Sequence, residues 1–166
     1  MGLRGDQGIV LRSYPFGEAD RVVVLLSPNR GKLRTVAKGV RRTKSKFGGR
    51  LEPFTHVDLM LYEGRNLDTI TQATIIEAFP ELRADLDRVV AAGTMVEVAD
   101  LVAQEDEPSM RLFLLLQRGL KALDRQEPVR AMAEGLPTAA DGVQRDERTL
   151  TRIGRRQRDV VVARFQ

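Results

Sequence analysis

Val22-Val23-Val24-Leu25-Leu26 is an unbroken apolar run, and its shortness and β-branching predict a buried strand across residues 19–27. The chain on either side has the same character. Upstream, residues 7–14 are rich in Ile, Val and Leu and stop at Pro15 and Gly17. Downstream, Pro28-Asn29-Arg30-Gly31 is a turn, because Asn and Gly tolerate positive φ, and residues 32–39 form a third strand. In residues 51–62, Val57, Leu59 and Leu61 alternate with His56, Asp58, Met60 and Tyr62, the period of a half-buried strand. After Gly64-Arg65-Asn66, residues 68–79 supply a fifth. Five strands without an intervening helical pattern predict a small barrel or sandwich; an OB-type Greek-key barrel and an SH3-like barrel both satisfy the pattern.

The period changes after Pro80. Leu82, Leu86, Val89, Val90, Met95, Val96, Ala99 and Val102 recur at helical spacing, with Gly93 as the weak point of one helix or the break between two. A further helix starts at Pro108 or Ser109, with Met110, Phe113, Leu114, Leu116, Leu120 and Leu123 on its core side. The reading is therefore α+β: a barrel over residues 1–80, a partial helical domain over 81–125, and an Arg-rich tail over 126–166. No lysine follows Lys121, and the apolar period fades as arginine accumulates. A segment of that composition is expected to be irregular or disordered, and a shifted reading frame would produce the same changes.

Composition narrows the function. The 166 residues are 42% hydrophobic and 30% charged, as in an ordinary soluble protein. No apolar run approaches the ~20 residues that span a bilayer, and the first residues lack a signal peptide's apolar core. There is no cysteine, which excludes disulfides and thiolate metal sites and fits a reducing compartment. A single histidine, His56, rules out a multi-histidine cage and argues against Ser-His-Asp chemistry. His56 itself reads as a surface or hydrogen-bonded residue on the side opposite Val57. Phosphate-loop and dinucleotide motifs are missing, and Glu18-Ala19-Asp20 beside Arg21 reads as a turn with an ion pair. No enzyme, metal or cofactor is expected.

Charge is unevenly placed: net +5 over residues 1–80, −4 over 81–128 and +3 over 129–166. Residues 30–50 hold nine cations and no acid. Mutually repelling cations of this density are stabilised by a polyanion, so Arg34, Lys38, Arg41, Arg42, Lys44, Lys46 and Arg50 are candidate nucleic-acid-binding residues. Phe47, between Lys46 and Gly48, is the candidate for base stacking; Phe54, Tyr62, Tyr14 and Phe16 lie nearby, and Phe54 and Phe79 also suit a core. A solvated charge run or a protein-binding segment is the plainer alternative.

Several segments together resemble the bacterial RecO family. They are Gly8-Ile9-Val10-Leu11-Arg12, Gly17-Glu18-Ala19-Asp20-Arg21, Val36-Ala37-Lys38-Gly39-Val40-Arg41-Arg42, Lys44-Ser45-Lys46-Phe47-Gly48, Leu51-Glu52-Pro53-Phe54, Tyr62-Glu63-Gly64-Arg65-Asn66-Leu67 and Thr71-Gln72-Ala73. The Arg-Arg-Thr-Lys-Ser-Lys-Phe stretch looks like the actinobacterial branch. The resemblance implies an N-terminal OB-fold, a helical domain, no enzymatic turnover and a cytoplasmic, nucleoid-associated protein. It implies binding of single- and double-stranded DNA, strand annealing, and action with RecR in the RecF pathway to load RecA onto DNA coated by single-strand-binding protein. It places the DNA surface at the cations above, and a pocket for single-strand-binding protein at Leu112, Leu116 and Arg118 or Lys121. Family members are commonly longer, and many carry a cysteine zinc site that this chain lacks. A general RNA- or protein-binding OB-fold module is the other reading.

Overall fold

A computed structural model describes residues 2–125; the expectations for the tail lie outside the described residues. The apolar run belongs to strand β2 (Asp20–Ser27), and both of its faces are buried. Val23 and Leu25 point inward with Val10, Leu33, Val57, Leu59, Leu61 and Ile70. Val22, Val24 and Leu26 point outward, with Ile9, Leu11 and Val36, against helix residues including Ala92, Val96, Ala99, Phe113, Leu116 and Leu120. Apolar on both faces, this strand cannot alternate. Each such side chain contributes about 1.5–3 kcal/mol by leaving water.

The other strands are β1 (Leu3–Phe16), β3 (Gly31–Ala37), β4 (His56–Tyr62) and β5 (Asp68–Glu77). They close a barrel in the order β1-β2-β3-β5-β4. The first half of β1 pairs with β4 from Leu3↔Tyr62 to Ile9↔His56, and the second half with β2. A register shift between Val10 and Arg12 bends the strand between its partners. Strands β3 and β5 meet in parallel over Thr35↔Asp68 and Val36↔Thr69.

Three helices follow: α1 (Pro80–Arg83), α2 (Leu86–Val102) and α3 (Met110–Asp124). Asp85 caps α2 by accepting from the Arg88 amide, and Ser109 caps α3 by accepting from the Leu112 amide. Asp100 of α2 is gripped from the barrel. The Arg12 guanidinium donates to it at 2.6 Å, and the Lys32 ammonium lies 3.2 Å from its carboxylate and donates to its carbonyl at 2.6 Å. Although burial opposes ionisation, these two cations hold its pKa below the usual carboxylate range. The α2–α3 linker lies on the β2–β3 turn, where the Lys32 amide donates to the Gln104 carbonyl at 3.0 Å.

Several boundaries differ from expectation. β4 starts at His56, not residue 51: residues 51–55 turn so that Leu51 and Phe54 enter the two cores, Phe54 at φ 74°. α2 runs through Gly93, whose helix penalty of about 1 kcal/mol is outweighed by packing at Ala92 and Val96, and the break falls at the Asp85 cap. Leu86, Val102 and Met110, expected in the core, are exposed. α2 is apolar around its circumference, so its pattern does not select a face. His56 is buried together with Val57, because α3 covers it. Its ring meets Gln7 Oε1 at 2.8 Å, and Phe113 edge-on at 5.4 Å between centroids.

Two predictions follow from this packing. Gly31 has φ 72°, and a Cβ there would lie 2.2 Å from the Glu107 carbonyl oxygen. Gly31→Ala should therefore cost at least the strain of a left-handed residue, about 1–3 kcal/mol, and chemical denaturation reads the loss. Burial is the largest influence on His56 and lowers its pKa; Glu77 raises it and Lys121 lowers it. The unfolded state then binds the proton more readily. Stability should be full above the unfolded value of about 6.5, fall as pH drops toward the folded value, and level off beneath it. Denaturation midpoints across pH 5–8 should show this step in the parent chain and lack it in His56→Gln.

Candidate nucleic-acid interface

The segment between β3 and β4 carries the cations, and its backbone is a chain of turns. Gly39, at φ 67°, donates its amide to Asp20 Oδ1 at 2.7 Å. The Arg41 amide then donates to the Ala19 carbonyl, the Ser45 amide to Arg42 and the Arg50 amide to Phe47. Phe47 and Leu51 drop into the barrel interior at 1% and 5% exposure. These two side chains of the loop join the barrel core, and its charges are carried around a fixed path. Beyond it, Arg83 donates to the Pro53 carbonyl at 2.7 Å and to Thr55 Oγ1 at 2.8 Å, holding the stretch before β4.

The nine cations divide into two kinds, with Arg34 apart from both. Arg30 is held by Asp68 at 2.8 Å and Lys32 by Asp100, so both serve the fold. Lys38, Arg41, Arg42, Lys44, Lys46 and Arg50 are exposed, and no carboxylate among the described residues pairs with them. They form a belt. Arg41 reaches the Gly17 carbonyl at the β1–β2 turn, while Lys46 donates to the Thr71 carbonyl of β5 at 2.8 Å. Arg50 folds back onto the Lys46 carbonyl. Between loop and strand runs a groove lined by Lys46, Phe47, Arg50, Thr71, Gln72, Ala73 and Thr74. A run of unneutralised cations beside hydroxyl and amide groups is suited to a phosphate backbone.

Arg34 lies apart. On β3 it pairs across from Val24, on the helix-facing side, 3.8 Å from Glu105 and 3.4 Å from the Tyr14 hydroxyl. Phe47 needs correction as a stacking residue: its ring is inside the barrel, capped by the Lys46 ammonium 5.0 Å from its centroid. A single Phe among lysines and glycines reads as displayed, but the barrel end needs an apolar plug. Leu116 needs the same correction, being 3% exposed in the core beneath α3. Leu112 is half-buried against that core, Lys121 pairs with Glu77 at 3.3 Å, and Arg118 is exposed. Thr71, Gln72 and Thr74 were missed, because only the barrel register brings β5 beside the loop.

Comparison with known proteins gives consistent matches. The family model described as "Recombination protein O N terminal" matches residues 1–79, and "Recombination protein O C terminal" matches 83–134. A DNA repair protein RecO from Nocardioides sp. is 61% identical over 120 residues, covering 71% of this chain and 49% of that protein. Its counterpart from Frankia casuarinae is 50% identical over 124 residues, covering 74% and 51%. That from Thermobifida fusca is 49% identical over 125 residues, covering 74% and 51%. The chain spans about half the length of the curated relatives it matches.

Phe47→Ala should lower unfolding stability by about 3–5 kcal/mol, as for a truncated core aromatic. Urea denaturation measures it; a change below about 1 kcal/mol would return the ring to the surface.

Proposed function

This chain belongs to the RecO family, and we propose that it serves DNA repair by holding DNA on the cationic belt of its barrel, without catalysing a reaction. In this reading the barrel of residues 1–80 is an OB-fold nucleic-acid-binding domain, and residues 81–125 begin a helical domain. The strand order, with a long bent β1 shared between β2 and β4, is compatible with OB topology. The observation that carries the proposal is the set of exposed cations from Lys38 to Arg50, held by a loop whose own apolar side chains are in the core.

The finer role is that of a recombination mediator. The chain would bind single- and double-stranded DNA, promote annealing, and act with RecR in the RecF pathway to place RecA on DNA coated by single-strand-binding protein. The printed names of the relatives support a place in DNA repair. Arg118 is the exposed member of the residues considered for single-strand-binding protein.

Anisotropy of a labelled single strand across a salt series tests the reading. With about five phosphates contacted, log K should fall against log salt with a slope of about −3 to −4. Changing Lys38, Arg41, Arg42 and Lys44 together to Ala should shrink that slope by about 3 and leave the circular dichroism unchanged. A slope near zero in the parent chain, or undiminished affinity in the folded variant, would overturn it. Equal affinity for RNA with no annealing of complementary DNA would favour a general nucleic-acid module.

A further inference from the structure

The groove beside Lys46 and Arg50 does not end at β5. Gln72, one of its lining residues, pairs directly with Met60 of β4, and Thr74 pairs with Asp58. Asp58, Met60 and Tyr62 all face outward, because Val57, Leu59 and Leu61 take the interior. On the far side of β4, Met60 pairs with Gly5 and Tyr62 with Leu3. A Cβ on Gly5 would meet nothing within 4 Å. Leu3, Met60 and Tyr62 are 65%, 37% and 47% exposed. The outer face of β1's first half, β4 and β5 is thus an open, shallow sheet surface with an unburied aromatic ring, bordered by the cationic groove. Its charges also favour a polyanion. Arg65 is exposed at the Tyr62 end and has no carboxylate partner among the described residues, Glu63 is neutralised by Arg4, and Asp58 is the one outward acid on β4.

We propose that this face is a platform for unpaired bases, with Tyr62 as the stacking ring and Met60 beside it, while Lys46 and Arg50 hold the phosphates of the same strand. The proposal rests on the DNA-binding reading and gives it a path and a selectivity. A ring can stack on a base only where the base is unpaired, so the face would favour single strands over duplex, and it would tolerate sequence because every base has a π-face. Phe47, an aromatic residue among the cations in sequence, is spent in the core; Tyr62, distant in sequence, is brought by barrel register onto the same outer face, two residues along β4 from Met60, which pairs with the groove residue Gln72.

The chain has two tyrosines and no tryptophan, which makes the test direct. In the full-length Tyr14→Phe variant, all aromatic emission of the tyrosine type comes from Tyr62. Titration with an oligothymidine should quench that emission, and added salt should restore it. Tyr62→Ala should weaken single-strand affinity about tenfold with duplex affinity unchanged, and Tyr62→Phe should retain the parent value. Oligothymidine binding by anisotropy with unaltered Tyr62 emission, and with parental affinity in Tyr62→Ala, overturns the platform and leaves the cationic belt standing. That is also the result if the face serves a protein partner. Failure to bind DNA by any readout overturns the belt, and the platform with it.

Discussion

The strand β2 is a shared wall, and the rest of the molecule is arranged around its two apolar faces. Val23 and Leu25 close the barrel interior, while Val22, Val24 and Leu26 seat the helices. Neither core can be completed without the other, since removing the helices would expose an apolar barrel flank, and opening the barrel would unseat the helices. The polar contacts at this boundary follow the same geometry. Asp100 lies between Arg12 and Lys32, and the α2–α3 linker rests on Gly31, at the end of the β2–β3 hairpin. Placing the helices on one flank leaves β5 and the adjoining loop open, and the unpaired cations stand there.

The loop shows how a charged segment acquires a defined place. Nine like charges in one stretch repel, and composition alone would make it a solvated run. Phe47 and Leu51 counter that by anchoring it in the barrel, with Asp20 and Ala19 receiving the amides of Gly39 and Arg41. A polyanion meeting this belt finds a backbone already ordered, so less conformational freedom is lost on binding than with a free tail. The outer surfaces of the helices are different in kind. There the exposed side chains include Leu101 and Leu115, at 80% and 67% exposure, in place of a run of cations.

Much of this was legible in the sequence, for reasons that are local. β-branched runs and turns containing both Asn and Gly announced the strands, and β2 announced itself by refusing to alternate. The cations were legible as a cluster because charge density needs no three-dimensional knowledge. What failed depended on distant partners. Residues 51–55 look extended until the barrel takes Leu51 and the second core takes Phe54. Leu86 looks like core on α2, whose apolar residues do not mark one face, and Met110 looks like core although it is the first residue of α3, ahead of that helix's buried stripe. Phe47 looks displayed until the barrel end is seen to need a plug. The separation of Arg30 and Lys32 from the free cations depends on Asp68 and Asp100, far along the chain.

The central claim is that nucleic acid lies on the barrel's cationic belt and not on the helices. Amide hydrogen exchange of the full chain, with and without a single-stranded oligonucleotide, tests it most directly. The account predicts slowed exchange confined to residues 38–50 and the facing stretch of β5, with α2 and α3 unchanged. Protection concentrated in α2 and α3, with the loop exchanging as before, would contradict it.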